Sequence, residues 1–233
     1  MNVRILKALS DNYIFIIEAP SAVVVIDPAE TEPVMRWLRD HQREPTHVLI
    51  THYHADHTGG VEALRRAYGM PVYGPAPSQF PVEQVEEGCI DLADELTVEV
   101  IDTPGHAFPH VAYYFRERGW LFSGDCLFGA GCGRLRGDAA AVMWSSLQRL
   151  AALPDQTSIY FGHEYTLDNL AFAATVEPDN PAIPERRARV QAALRTAEFS
   201  VPSTLAEEKA TNPFLRAGDM ATFAARRRSK DVF

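Results

Sequence analysis

Four side chains that commonly bind metals occur within six consecutive residues: His52, His54, Asp56 and His57. They follow residues 48–50, an apolar and partly β-branched run that favours a strand. Imidazole and carboxylate groups together suit zinc, iron or manganese. A lone histidine is usually an ordinary surface or core residue, but four donors so close together predict a metal site.

Three further donors stand where a predicted strand gives way to a loop, and each follows a glycine: His106, Asp125 and His163. Glycine allows the backbone to turn tightly behind a ligand. A catalytic zinc ion takes three protein ligands and keeps one position open. Seven donors therefore exceed the need of one ion and predict two ions that share a carboxylate.

The composition indicates a soluble globular protein with a sizeable core. The chain has 233 residues, 46% of them hydrophobic and 23% charged, which fits one large domain or a core domain with a small appendage. A formal charge of −9 argues against nucleic-acid binding. The sequence shows neither the pattern of a secretory leader nor an apolar run long enough to span a membrane. The spacing of the three cysteines matches no disulfide framework. We therefore expect a cytoplasmic protein that binds no membrane.

The order of predicted elements indicates an α+β domain followed by a helical one. Strands are predicted at residues 14–17, 23–26, 48–51, 72–73, 89–90, 96–101, 111–115, 120–122 and 158–161, with the first two forming a hairpin. Helices are predicted at residues 31–41, 61–68, 140–152, 167–175, 185–199 and 218–230. The change of character near residue 166 predicts domains at 1–165 and 166–233.

The pattern THxHxDH at residues 51–57, followed by GH, GD and GH, resembles the metallo-β-lactamase superfamily over residues 1 to about 165. The resemblance implies a four-layer αββα sandwich with the metals at one edge. It also implies the ligand sets. The first ion would be bound by His52, His54 and His106, the second by Asp56, His57 and His163, and Asp125 would bridge them.

Four shorter segments are similar to the glyoxalase II, or hydroxyacylglutathione hydrolase, family: LSDNY at residues 9–13, GCGR at 131–134, FGHEYT at 161–166 and RRSKD at 227–231. The resemblance extends over essentially the whole chain. It implies that the helical domain helps to bind glutathione, through Arg134, Tyr165, Arg227 and Lys230. A net-acidic enzyme needs such a local cationic pocket for the two carboxylates of glutathione.

The same resemblance implies hydrolysis of S-(2-hydroxyacyl)glutathione thioesters by a metal-bridging hydroxide. S-lactoylglutathione would give D-lactate and glutathione, the second step of methylglyoxal detoxification. Asp56 and Asp125 would be catalytic through the metals. Zinc is the first expectation, iron and manganese fit the same donors, and the enzyme is expected to be a monomer.

Two other functions share these motifs. A persulfide dioxygenase of the same superfamily would use one iron ion and oxygen, and typically lacks the long helical tail. The alternative that is not an enzyme is a non-catalytic metal-binding module. The presence of all seven donors argues against a site that has lost its catalytic function. Basic residues 226–230 have a simpler interpretation as well, because they complement the dipole at the end of the last helix.

Several residues near the motifs have two interpretations each. Asp27 ends a predicted strand and either orients a metal ligand or caps a turn. His110 either contacts a ligand or is simply packed, and we favour packing. Arg136 stands where relatives often have an aromatic hydroxyl, and Arg134 where many have lysine. Cys126, Cys132, His41 and His47 are expected to be structural.

Overall fold

Two units make up the chain. Residues 1–102 and 108–118 form the first unit, and residues 103–107 and 119–233 form the second. The computed structural model describes residues 1–78, 81–196 and 198–233. Each unit contains strands, helices and some of the predicted metal ligands.

A six-stranded sheet is the main element of the first unit. In spatial order its strands are β1 (Asn2–Ala8), β2 (Asn12–Glu18), β3 (Val23–Ile26), β4 (His47–Leu49), β5 (Val72–Pro75) and β6 (Glu83–Val85). Strands β1 to β3 are antiparallel, which confirms the predicted hairpin, and β3 to β6 are parallel. Strand β1 was not predicted; it lies at the edge of the sheet, and six of its seven residues are exposed or half-buried.

Helices α1 (Thr31–His41), α2 (Ala55–Thr58) and α3 (Val61–Tyr68) complete this part of the first unit. Trp37 of α1 and Leu64 of α3 share one apolar core with Ile16, Val25 and Val48 of the strands. The bounds of α1 and α3 are those that the sequence predicted. An antiparallel meander follows, formed by β7 (Gly88–Ala93), β8 (Leu96–Asp102) and β9 (Val111–Phe115).

The second unit contains two neighbouring strands, β10 (Trp120–Gly124) and β13 (Ser158–Phe161), which run parallel. The two-residue strand β14 (Ser203–Thr204) pairs antiparallel with β13. Between β10 and β13 lie a small hairpin, β11 (Leu127–Phe128) with β12 (Gly131–Cys132), and helix α4 (Ala140–Ala151). The parallel pairing brings the ends of β10 and β13 to the same edge.

Among the described residues, four α-helices follow β13: α5 (Thr166–Val176), α6 (Ala182–Arg195), α7 (Leu205–Thr211) and α8 (Met220–Asp231). The sequence predicted three of them. Helix α7 was missed because it is short, although Thr204 caps it by accepting a hydrogen bond from the Glu207 amide. Ala197, within the predicted segment 185–199, lies outside the described residues.

The described helices are short relative to a bilayer. The longest of them, α6, has 14 residues, whereas a membrane-spanning helix needs about 20. Within residues 1–78, 81–196 and 198–233, no helix is both long and apolar enough to cross a membrane.

The three thiols differ in their environment. Cys89 is exposed, whereas Cys126 and Cys132 are buried. Burial raises the pKa of the Cys132 thiol to about 11 and raises the pKa of the Cys126 thiol well above its ordinary value. A thiol reacts as its thiolate, so the two buried thiols are inert, as expected from the sequence.

We expect native protein to react rapidly with one equivalent of a disulfide reagent such as Ellman's reagent, because only Cys89 is accessible among the three thiols. After denaturation, three equivalents should react. The Cys89→Ser variant is the control and should show no rapid phase. Rapid reaction of a second thiol in the native protein would contradict the burial of Cys126 and Cys132.

Candidate metal centre

Parallel strands position the donors of the first unit. Strand β3 ends just before Asp27, and β4 ends just before the segment with the four predicted ligands. Because the carboxyl ends of parallel strands meet at one edge of a sheet, Asp27 comes close to this segment. The Asp27 amide donates a hydrogen bond to the Leu49 carbonyl at 3.0 Å, which fixes the two strand ends to each other.

His52 and His54 direct ring nitrogens toward the same space. His52 Nε2 and His54 Nδ1 are 2.9 Å apart, and the His52 ring is fully buried. His52 Nδ1 lies 3.1 Å from the Thr51 hydroxyl. The His57 ring is close to that of His52, with 4.2 Å between centroids. Three imidazoles are thus gathered by one short loop.

Asp27 orients His57. Its Oδ2 accepts a hydrogen bond from His57 Nδ1 at 3.0 Å, which leaves Nε2 as the ring nitrogen with a lone pair. The same carboxylate accepts the Thr51 amide at 2.8 Å and the Thr51 hydroxyl at 2.6 Å. Asp27 therefore has both roles that the sequence left open, since it holds a turn and also orients a predicted ligand.

Asn12 holds Asp56, a contact that sequence reasoning missed. The Asn12 amide group donates to the Asp56 carbonyl at 2.9 Å and to its Oδ2 at 3.3 Å. Asn12 belongs to the LSDNY segment, which served only as a family signature. Its role follows from the position of β2 in the sheet, and no spacing in the sequence indicates it.

Gly59 and Gly60 follow the donors because the backbone there has no room for a side chain. A Cβ at Gly59 would lie 2.4 Å from the Ala29 carbonyl oxygen. The Gly60 amide donates to the Pro28 carbonyl at 2.7 Å. The segment that begins α3 is thereby pressed against the loop after β3, and this contact fixes the orientation of α2, which carries Asp56 and His57.

The second unit gathers its donors in the same way. Asp125 follows β10, His163 follows β13, and the Gly162 amide donates to the Gly124 carbonyl at 3.2 Å. Asp125 Oδ2 lies 3.5 Å from His163 Nε2 and 3.3 Å from His106 Nε2. A single buried carboxylate oxygen is thus near both histidines.

A backbone carbonyl orients His106. His106 Nδ1 donates to the Arg134 carbonyl at 3.0 Å, which leaves Nε2 with the lone pair. Gly133 makes this approach possible, since a Cβ there would lie 2.1 Å from the Asp125 carbonyl oxygen and 2.9 Å from His106 Cβ. The GCGR segment therefore packs directly on two of the predicted ligands.

The four residues predicted to bind glutathione have different environments. Arg134 is exposed, and its Nε lies 3.6 Å from Asp231. The Tyr165 ring stacks on that of His163 at 4.8 Å. Arg227 is buried and donates to the Cys132 carbonyl at 3.0 Å and to Asp231 at 3.0 Å.

Lys230 is half-buried, and its ammonium group lies over the rings of Phe172 and Phe233. It also donates to the Asp168 carbonyl at 3.3 Å. Loss of hydration on burial, and then the nearby Arg227 charge, lower the pKa of Lys230 from its ordinary value. The cation is thus held in a partly dry position, where an added anion would interact strongly.

Two residues with open roles are also placed. His110 is buried, and its ring stacks on that of His52 at 4.9 Å, so it is packed directly against a predicted ligand. Arg136 is exposed, and its amide donates to the Gly105 carbonyl at 3.3 Å beside His106.

The donors fit a divalent metal. In the first unit, His52 and His54 have ligand atoms within 4.8 Å of each other, and so do Asp56 and His57. In the second unit, the ligand atoms of His106 and Asp125 also lie within 4.8 Å of each other. Neutral imidazole and carboxylate are the donors that zinc, iron and manganese share.

Two family models match the chain in succession. The model of the metallo-β-lactamase superfamily matches residues 9–163, and the model described as the hydroxyacylglutathione hydrolase C-terminus matches residues 164–233. The predicted α+β class and metallo-β-lactamase fold are thereby confirmed. The second model covers the helices that follow β13.

Curated relatives agree over most of their length. A hydroxyacylglutathione hydrolase of Nitrosomonas europaea is 43% identical over 95% of this chain and 85% of its own. A protein of the same name from Methylobacillus flagellatus is 46% identical over 94% of this chain and 88% of its own. Among solved structures, ETHE1 from Myxococcus xanthus has a TM-score of 0.75 and 27% identity, covering 98% of this chain and 90% of that one.

Substitution of Asp27 should weaken metal binding without unfolding the chain. In Asp27→Asn the amide no longer holds His57 in one tautomer, and loss of such a partner typically lowers metal affinity by about 10- to 100-fold. Elemental analysis after dialysis against a weak chelator measures this. Asp40→Asn, at an exposed site in α1, is the control. Equal retention of metal by both variants would contradict the orienting role of Asp27.

Proposed function

The chain belongs to the metallo-β-lactamase superfamily and, within it, to the hydroxyacylglutathione hydrolases, and we propose that it hydrolyses S-(2-hydroxyacyl)glutathione thioesters. S-lactoylglutathione, which gives D-lactate and glutathione, is the proposed substrate. The reaction would complete methylglyoxal detoxification. The observation that carries the proposal is the match of both family models, which together span residues 9–233.

We propose two divalent ions, with zinc first and iron or manganese as the alternatives. His52, His54 and His106 would bind the first ion, and Asp56, His57 and His163 the second. Asp125 would bridge them, which its approach to two imidazole nitrogens supports. When bound, such a pair supplies an activated water nucleophile and a Lewis acid for the thioester carbonyl.

The protein's own contribution is to fix the protonation and direction of each ligand. Asp27 and the Arg134 carbonyl occupy the Nδ1 atoms of His57 and His106, so that both rings offer Nε2. Asn12 holds Asp56 in one position. Asp56 and Asp125 are catalytic in the sense that they hold the reacting centre.

The substrate chemistry suits this arrangement. The leaving group is a thiolate whose conjugate acid titrates near 8.5, by analogy with cysteine. It can depart at neutral pH with little help from a general acid. An amide would need a proton on its leaving nitrogen, so the proposed site favours thioesters over amides.

Arg134, Tyr165, Arg227 and Lys230 are the proposed glutathione contacts. Arginine offers a planar fork for a carboxylate, whereas lysine offers a point charge. Because the whole chain carries a formal charge of −9, attraction of an anionic substrate must come from this local group of cations.

Three further predictions accompany the activity: a catalytic domain at residues 1–165 with a glutathione-binding domain at 166–233, a monomeric state, and a cytoplasmic location. The point where the two family models meet supports the domain boundary. The match to the hydroxyacylglutathione hydrolase C-terminus also favours thioester hydrolysis over the persulfide dioxygenase alternative. Hydrolysis in the absence of oxygen separates these two activities.

The Asp125→Asn variant should lose essentially all hydrolysis of S-lactoylglutathione, because a neutral amide cannot bridge two cations. The measurements are the loss of thioester absorbance and elemental analysis of the same sample. Asp179→Asn, at an exposed position, is the matched control and should keep the wild-type rate. Wild-type activity in Asp125→Asn would refute the ligand assignment.

The Lys230→Ala variant should raise KM by about tenfold and leave kcat nearly unchanged, since it removes a charged contact to substrate. The exposed Arg228→Ala is the control for general loss of positive charge. An unchanged KM in Lys230→Ala would show that this cation does not bind substrate.

The pH dependence of KM tests the same contact. Because the pKa of Lys230 lies below its ordinary value of 10.5, its charge is lost at a less alkaline pH than that of an exposed lysine. KM should therefore rise as the pH increases through this lowered pKa. Lys230→Arg, whose guanidinium remains charged, should flatten the alkaline rise, and an identical profile in both proteins would argue against the assignment.

A further inference from the structure

The turn of the β11–β12 hairpin is held by side chains from three later segments. Asn169 of α5 donates to the Gly129 carbonyl at 3.0 Å. Glu208 of α7 accepts the Ala130 amide at 2.8 Å. Asn212, just after α7, donates to the Gly131 carbonyl at 2.9 Å. Each residue of this turn therefore has a backbone group bound to a buried side chain.

Glu208 is the centre of this arrangement. It is fully buried, and its Oε2 also accepts the Asn212 amide group at 3.1 Å. Its Oε1 accepts a hydrogen bond from buried Arg186 at 2.5 Å, and Arg186 donates in addition to the Thr211 hydroxyl at 2.6 Å. Burial of an ion pair is a poor source of stability, and one well-attested use is to select a single conformation.

The turn has a conformation that needs such support. Ala130 has φ +52°, a left-handed backbone that residues with a Cβ rarely adopt. On either side the backbone touches α5 directly. A Cβ at Gly129 would lie 2.4 Å from the Thr166 hydroxyl, and one at Gly131 would lie 2.2 Å from the Asn169 amide nitrogen. The turn thus fits one position against the helices.

The hairpin joins two parts of the site. Asp125 precedes β11, and Arg134 follows β12 by two residues. The Arg134 carbonyl accepts the hydrogen bond that orients His106, while its side chain is exposed. The Arg134 guanidinium also lies 3.6 Å from the Asp231 carboxylate, and the backbone of the hairpin sets the point from which this side chain extends.

We propose that Glu208 and Asn169 are positioning residues for glutathione binding, which fix the turn at residues 129–131 and so place Arg134 for a carboxylate of glutathione. The inference rests on the proposed function, because it takes Arg134 as a glutathione contact. Neither Glu208 nor Asn169 touches the substrate. Their effect is on the affinity for glutathione and on the mobility of the hairpin.

Calorimetric titration of the holoenzyme with glutathione tests the role of Glu208. The Glu208→Gln variant loses the charge that binds Arg186 and one acceptor for the Ala130 and Asn212 donors, so Kd should rise about tenfold. Glu207→Gln is the matched control, because its carboxylate contacts Arg186 and Arg189 and not the turn. An unchanged Kd in Glu208→Gln would overturn the proposal.

Asn169→Ala is the second variant, in case the loss of Glu208 prevents folding. It removes the bond to the Gly129 carbonyl and the contact of the amide group with Gly131. Thr175→Ala on the same helix, whose hydroxyl bonds within α5, is its control. Hydrogen exchange of residues 127–133 should be faster in Asn169→Ala and unchanged in Thr175→Ala. Exchange and Kd both equal to wild type in Asn169→Ala would overturn the proposal.

Comparison of two substrates separates positioning from a general structural effect. For S-lactoylglutathione, both variants should raise KM about tenfold with kcat within about twofold. For a lactoyl thioester of N-acetylcysteamine, which has no carboxylates, kcat/KM should stay at the wild-type value. Equal losses on both substrates would refute the positioning role. Failure of the wild-type protein to hydrolyse S-lactoylglutathione would instead refute the proposed function.

Discussion

Parallel strand pairing is the constraint on which the site depends. In each unit, two neighbouring strands run in the same direction and end at one edge: β3 with β4, and β10 with β13. Hydrogen bonds between the backbones of these strands fix the positions of Asp27, Asp125 and His163, which follow the strand ends. In an antiparallel pair, the carboxyl ends of the two strands lie at opposite edges of the sheet. The positions of the predicted metal ligands are thus determined by backbone hydrogen bonds, which do not depend on the chemistry of the ligand side chains.

Orientation of the ligands is a separate matter from their position. A histidine at the right place can still offer the wrong nitrogen. Here the Asp27 carboxylate and the Arg134 carbonyl each bind one Nδ1, so that His57 and His106 offer Nε2. The Asp27 carboxylate is itself held by the amide and the hydroxyl of Thr51. The chemistry of the site therefore extends at least one layer beyond the atoms that would touch an ion.

The C-terminal helices contribute more than cationic side chains. They also bind the backbone of a turn that lies between a predicted metal ligand and a predicted substrate ligand. Glu208 and Asn212 are fully buried, and each forms a hydrogen bond with a main-chain group of the turn. Hydrogen bonds to a backbone restrict its geometry whatever side chains it carries. Membership in the hydroxyacylglutathione hydrolases thus has a structural counterpart in the second unit, where side chains of α5 and α7 hold the turn that leads into the GCGR segment.

The types of the predicted ligands, their spacing and the glycines beside them are local properties of the sequence, and they were enough to predict the family and the fold class. The sequence alone also predicted long elements such as α1 and α3. Such elements can be predicted from the sequence because their apolar residues recur with the period of a helix or a strand. Short elements such as β14 and α7 were missed, because their stability comes from tertiary contacts. Only the tertiary structure paired Asn12 with Asp56 and Glu208 with Ala130. These partners are 44 and 78 residues apart, and no local pattern records a contact that packing creates.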